Sequence, residues 1–322
     1  MTMTGEMHIY GDIKLFSGTS CPNLSAEIAA YLGVPLSGRD ILKFPNDNIF
    51  VRLHKSVRGQ DVYLVQTTSR PVSDNLLELL ITLQTLKLDS AGRITVVIPY
   101  LAYARSDKKD QPRVPITARL VADMIQTAGA DRYVTLDLHA GQIQGFFSIP
   151  GDVLTTFNLL SDYFVRKRDT LREPVIVTAD LGFAKKGRNF AARIGTSMAF
   201  IEKRRAGSDA RAMAIVGDVA NKDVIIVDDE VDTAGSVIQA VRIVKENGAR
   251  DIYLAFVHAV LSPPAIERLR DAPIKEIVTT NTIPLPPDKQ LPNLHVLSVA
   301  PILGEVIRRA HEGRSVGELF NE

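Results

Sequence analysis

The stretch Val224–Ser236, VIIVDDEVDTAGS, constrains the fold more than any other part of the chain. Val224, Ile225, Ile226 and Val227 are apolar without alternation. That is the pattern of a strand buried on both faces, and such strands belong to parallel sheets covered by helices. Asp228, Asp229 and Asp232 follow, and Thr233-Ala234-Gly235-Ser236 opens an amphipathic helix. The unpaired N–H groups and positive dipole end of that helix attract an anion, and Thr233 and Ser236 add hydroxyl donors. Asp228 and Asp229 repel a phosphate, so they are expected to face hydroxyl groups or a metal. A phosphorylated sugar has both characters.

The rest of the chain repeats the strand, loop and helix style, which predicts two similar doubly wound α/β domains, residues 1–155 and 156–301, with ligands outside the carboxyl ends of the strands. A final helix of about 302–322 is expected to pack back on the first domain. Ser73-Asp74 is expected to cap a helix carrying Leu76, Leu77, Leu80, Leu83 and Leu86 at helical spacing. The strand Ile94–Ile98 leads into Tyr103–Asp110, where Arg105, Lys108 and Lys109 suit a polyphosphate. Tyr133–Leu138 runs into His139. Val175–Thr178 leads to Asp180, which opens a second candidate anion loop, Leu181 to Lys186. His139 and Asp180 form a candidate Mg²⁺ pair, since Mg²⁺ takes few protein ligands and completes its shell with water and phosphates. Ala199–Ile201 is expected to end in Lys203-Arg204-Arg205, on a mobile flap that brings cations onto a transferring group and excludes water.

Composition excludes several classes. A net charge of +1 gives no electrostatic basis for nucleic-acid binding. Cys21 is the only cysteine, which leaves no internal disulfide and no cysteine-based metal cage. The longest apolar run, near Ile252–Leu261, is interrupted by His258 and falls short of the ~20 residues of a membrane helix. Glu6 and Asp12, with no apolar core segment around them, do not read as a secretory signal, so no membrane partner and a cytoplasmic location are expected.

The stretches IKLFSGTS, SVRGQDVYLVQ, DNLLELL, IPYLAYARSDKKD, DLHAGQIQGFF, EKRR, VDDEVDTAGS and RSVGELF fall in one order across nearly the whole chain. In that order and spacing the sequence resembles the ribose-phosphate pyrophosphokinase (PRPP synthetase) family. The resemblance implies domains of the phosphoribosyltransferase type and transfer of the β,γ-pyrophosphoryl group of ATP to the anomeric hydroxyl of ribose 5-phosphate. It implies ribose hydroxyls on Asp228 and Asp229, and the 5-phosphate on Asp232, Thr233, Ala234, Gly235 and Ser236. ATP would meet Arg105, Ser106 and His139, with adenine at the Phe44, Asn46 and Asn48 loop of a neighbouring subunit. Asp180, Leu181 and Gly182 would form the pyrophosphate loop, His139 and Asp180 would hold Mg²⁺, and Lys203 and Arg205 would stabilise the transition state. The resemblance further implies a homo-hexamer built from dimers, and a regulatory site for inorganic phosphate or ADP at Ser56, Arg58, Arg113 and Ser315.

The sequence departs from that family pattern at several positions. Asn48 stands in place of Glu, Ser106 in place of Gln, Gly317 in place of Ser, and His54-Lys55 in place of residues that are commonly acidic. Phe183 replaces a glycine, and a requirement for positive φ there would strain it. A catalytically silent regulatory subunit of the same family is the competing expectation, and a PRPP-binding regulator or transferase is a third.

Overall fold

A parallel strand buried on both faces needs helices above and below it, and both halves of the chain supply them. The computed structural model describes residues 10–179, 183–206 and 210–320, with the backbone alone over 203–206, 210–213 and at 320. Two units result. One holds residues up to Leu154, Thr282–Pro284 and the segment from Ser298, and the other holds Thr155–Asn281 and Leu285–Leu297. In chain order the first unit begins with β1 (Ile13–Ser17), α1 (Pro22–Leu32), β2 (Arg39–Lys43), β3 (Ile49–Leu53), β4 (Asp61–Val65) and α2 (Val72–Leu88). It continues with β5 (Arg93–Ile98), α3 (Thr117–Ala128), β6 (Arg132–Leu136) and β7 (Gly151–Leu154). The second comprises α4 (Phe157–Arg166), β8 (Val175–Thr178), α5 (Ala184–Ile194), β9 (Ser197–Ala206), β10 (Ala210–Val216) and β11 (Val224–Val231). After these come α6 (Gly235–Glu246), β12 (Ile252–Ala259), α7 (Ala265–Asp271), β13 (Glu276–Thr280) and β14 (Leu294–Leu297). Helix α8 (Ala300–His311) returns to the first unit.

The first sheet is parallel, in the order β1-β4-β5-β6-β7, and β2-β3 is a separate antiparallel hairpin. Val62, Leu64, Ile94, Val96 and Ile98 share a core with Leu79, Leu83 and Leu86 of α2 and Val121 and Ile125 of α3. The intervening Tyr63, Val65 and Val97 point to the opposite face and are also fully buried. Helix α8 packs along α1 so closely that a Cβ on Gly304 would meet Cδ1 of Tyr31 at 2.3 Å.

The second sheet runs β10-β9-β8-β11-β12-β13-β14, parallel except for β10. Its residues divide by parity. Val175, Val177, Val224, Ile226, Ile252 and Leu254 pack with α6 and α7, whereas Ile176, Ile225, Val227, Tyr253 and Ala255 pack with α4 and α5. The chain leaves β8 toward β9 on one side and returns to β11 on the other. This reversal of winding direction puts a crevice outside the carboxyl ends of β8 and β11.

Several boundaries differ from the sequence reading. Helix α2 starts at Val72 behind Pro71, with no side-chain cap from Ser73 or Asp74. Strand β6 ends at Leu136, two residues before the expected end, and α8 ends at His311. The basic run lies inside β9, because β10 pairs antiparallel with it and carries its ladder through Ala206.

Acidic groups at the amino-terminal ends of the strands are matched by cations. Asp61 accepts both Nε (2.8 Å) and Nη2 (2.6 Å) of Arg93, and Tyr63 Oη donates to it at 3.0 Å, while His311 Nδ1 of α8 lies 2.9 Å away. Arg132 pairs with Asp152, Lys167 with Glu276 and Arg250 with Asp223. Burial of Asp223 opposes its ionisation, but Arg250 and the backbone N–H of Arg172 outweigh burial and hold its carboxyl below the ordinary range. A folded-state pKa below the unfolded value of about 3.9 contributes stability above that pH, and the contribution is lost as pH falls through the folded value. Acid unfolding followed by circular dichroism should therefore be less steep below pH ~4 in Asp223→Asn, which has no carboxyl to protonate there.

Candidate active site

At the switch point of the second sheet the acidic segment is carried by β11. Val224–Val227 pair with β8 on one side and β12 on the other, the last β8 pair being Thr178 with Val227. From Asp228 onward the ladder continues on the β12 side alone, where Asp228 lies opposite Phe256, Glu230 opposite His258 and Val231 opposite Ala259. Among the described residues the β8 ladder ends at Thr178, so the Asp228–Val231 segment runs past that ladder at the point where the winding reverses. Asp228 is half-buried, and its Oδ1 accepts the N–H of Asp229 at 2.9 Å. Asp229 and Glu230 are buried.

Beyond the strand, Val231 O accepts the N–H of Leu261 at 3.0 Å, which ends β11 against the segment after β12. Asp232 follows, and its Oδ1 is buried without a hydrogen-bond partner. Thr233 and Ser236 are exposed. Ala234 is buried, adopts left-handed φ 61° and ψ 8°, and occupies the N-cap of α6 without any side-chain cap. The first N–H groups of a helix have no intrahelical carbonyl. They open beside exposed hydroxyls, next to a run of carboxylate acceptors. Carboxylates can accept from diols, and the N–H groups can donate to an anion.

In the first unit the loop after β5 is fixed from three directions. The buried Thr68 hydroxyl donates to Tyr100 O (2.9 Å) and accepts the N–H of Ala102 (2.7 Å). Ser106 Oγ accepts the N–H of Thr117 at 3.2 Å, and Ser106 O accepts that of Ala118 at 3.1 Å, so Ser106 ties the loop to the start of α3. Buried Asp107 accepts a hydrogen bond from the Gln142 amide, joining this loop to the one that carries His139. Arg105 and His139 are exposed. Thr68, Asp107 and Gln142 had no assigned role in the sequence; Gln142 sits in the quoted DLHAGQ segment, whereas nothing in the sequence marks Thr68.

Phe44, Asn46 and Asn48 lie on the exposed turn of the β2-β3 hairpin, closed by Phe44 N–H to Asn48 O at 2.8 Å. The side-chain oxygen of Asn46 accepts the N–H of Asn48 at 3.2 Å. Ser56 Oγ accepts the N–H of Arg58 at 3.2 Å, and Ser56 lines a groove of about 550 Å³ with Arg52, His54, Lys55 and Asp89. Arg113 and Ser315 do not line that groove. Arg113 is exposed at φ 66°, and Ser315 Oγ accepts the N–H of Gly317 at 3.2 Å.

Asp180, Leu181 and Gly182 lie outside the described residues. The backbones of Lys203 and Arg205 pair with Met213 and Arg211 in the β9-β10 ladder. Phe183 has φ −93°, so no strain arises from its replacing a glycine, and its ring lies 5.2 Å from that of Phe157. Among the described residues no group of three His, Cys, Asp or Glu side chains is placed to hold a metal.

The left-handed turn yields a direct test. A β-branched residue at Ala234 should cost about 1–3 kcal/mol, so Ala234→Val should lower the thermal midpoint while Ala234→Gly does not.

Comparisons with known proteins agree with this architecture. Residues 13–129 match the N-terminal domain of ribose phosphate pyrophosphokinase, and residues 204–321 match the phosphoribosyl synthetase-associated domain. The chain is 46% identical to a ribose-phosphate pyrophosphokinase of Clostridium acetobutylicum, over 97% of this chain and 98% of that protein. It is 48% identical to one of Caldanaerobacter subterraneus, over 96% and 98%. The crystal structure of phosphoribosylpyrophosphate synthetase from Mycobacterium smegmatis superposes with a TM-score of 0.89 at 41% identity, covering 94% of this chain and 99% of that one.

Proposed function

This chain belongs to the ribose-phosphate pyrophosphokinase family, and we infer that it transfers the β,γ-pyrophosphoryl group of ATP to the 1-hydroxyl of ribose 5-phosphate, giving PRPP and AMP. The observation that carries this reading is the β11-α6 junction, where carboxylate acceptors just past the described β8 ladder meet a helix start without a side-chain cap at a reversal of winding.

In the reaction, the anomeric oxygen forms a bond to the β-phosphorus as the bond from that phosphorus to the α,β-bridging oxygen breaks. AMP leaves with the electron pair, and the hydroxyl proton is released. Such displacement depends on in-line positioning and on spreading charge over the phosphoryl oxygens, so no covalent enzyme intermediate is required. Asp228 and Asp229 hold the ribose hydroxyls in this reading, and the Asp232–Ser236 turn takes the 5-phosphate. Arg105 and Ser106 meet the ATP phosphates, with the loop held by Thr68 and by the Asp107–Gln142 bond. Phe44, Asn46 and Asn48 take the adenine, and Asp180, Leu181 and Gly182 take the pyrophosphate. Lys203 and Arg205 supply cations to the transferring group.

Mg²⁺ is the implied cofactor. The exposed imidazole of His139 and the carboxylate of Asp180 suit an ion that keeps most of its water and phosphate ligands. When bound, it would draw charge from the phosphoryl oxygens. A homo-hexamer, a cytoplasmic location and a phosphate or ADP site at Ser56, Arg58, Arg113 and Ser315 complete the proposal.

ATP, ribose 5-phosphate and Mg²⁺ together should yield AMP and PRPP, whereas omission of the sugar phosphate should abolish AMP formation. No AMP with or without inorganic phosphate would overturn the reading. Lys203→Ala should lower kcat roughly 100- to 1000-fold with little change in ribose 5-phosphate binding measured by calorimetry.

A further inference from the structure

The Asp228–Ser236 segment presents a charge problem. It contains four acids, Asp228, Asp229, Glu230 and Asp232, and no Lys or Arg. Within this segment a dianionic phosphate drawn to the start of α6 meets positive charge only from backbone N–H groups. A side-chain cation for the phosphate comes from outside the segment.

Helix α7 carries one to this junction. Nη1 of Arg268 donates to the carbonyl oxygen of Thr233 at 2.8 Å, and a Cβ built on Gly235 would lie 3.5 Å from the same nitrogen. The guanidinium therefore rests against the turn between β11 and α6. An arginine has five N–H donors, and the Arg268 side chain is exposed, so holding Thr233 leaves donors for an anion on the same turn. The bond to Thr233 also fixes the carbonyl that immediately precedes the left-handed Ala234.

We propose that Arg268 is a binding residue for the 5-phosphate of the sugar substrate, supplying a positive charge that the Asp228–Ser236 segment does not itself contain while its hydrogen bond holds the turn. This inference rests on the reading of the β11-α6 junction as a ribose 5-phosphate site. It makes Arg268 a determinant of selectivity for phosphorylated over free sugar.

Two substitutions separate charge from positioning. Arg268→Gln keeps an amide donor for Thr233 and loses the charge, whereas Arg268→Lys keeps the charge. With ATP saturating, Arg268→Gln should raise the KM for ribose 5-phosphate by about tenfold or more, leaving kcat and the KM for ATP within about threefold of wild type. Arg268→Lys should recover most of that loss. An unchanged KM for ribose 5-phosphate in Arg268→Gln would overturn the proposal. So would an equal fall in kcat in both variants, which would mark Arg268 as a structural strut. Wild-type activity is the control: absence of AMP there rejects the functional reading itself, while an active wild type with an indifferent Arg268→Gln rejects this inference alone.

Discussion

The reversal of winding between β8 and β11 is the constraint on which the site depends. The chain departs from β8 on one side and returns to β11 on the other, and among the described residues the β8 ladder along β11 ends at Val227. Past the end of that ladder Asp228 is half-exposed, while Val224–Val227 are completely buried. The first sheet has no such reversal. Its strands follow in simple sequence, and its candidate residues sit on loops tied to one another by side chains.

Charge is distributed to match. At the amino-terminal ends of the strands each buried acid has its own cation, as Asp61 has Arg93 and Asp223 has Arg250. These pairs close that edge without needing a ligand, and the His311 contact to Asp61 also fastens α8 to the first sheet. The acids gathered after Val227 have no cation within their own segment. Their environment includes Arg268 from α7, held on the same turn through a backbone carbonyl.

Ser106 illustrates how a short side chain changes its use. In the family pattern the position is implied to reach ATP, yet here its hydroxyl accepts the N–H of Thr117 at the start of α3. The Arg105 loop is thereby tied to α3 by a side chain next to Arg105 itself. Thr68, Ser106 and Asp107 each satisfy a backbone or amide group, which limits where the exposed guanidinium of Arg105 can travel.

Much of this was legible in the sequence. An unbroken apolar run before DDEVDTAGS is compatible with little except a central parallel strand, because only helices on both faces can keep Val224–Val227 from water. Of the leucines whose spacing announces α2, Leu83 and Leu86 are fully buried and Leu76 and Leu80 pack against the same core, whereas Leu77 is exposed and the buried Leu79 is not among them. Helix α4 carries the same kind of signal in Phe157, Leu160 and Phe164. What the tertiary structure decided are relations between distant segments. The basic run joined a strand because β10 paired with it, and no local propensity specifies a partner. Phe183 is unstrained because its φ is negative, which residue identity cannot reveal. Arg268 reached Thr233 across 35 residues because α7 packs beside α6. Local pattern fixes which residues must be buried, and the packing of whole elements fixes which exposed side chains meet.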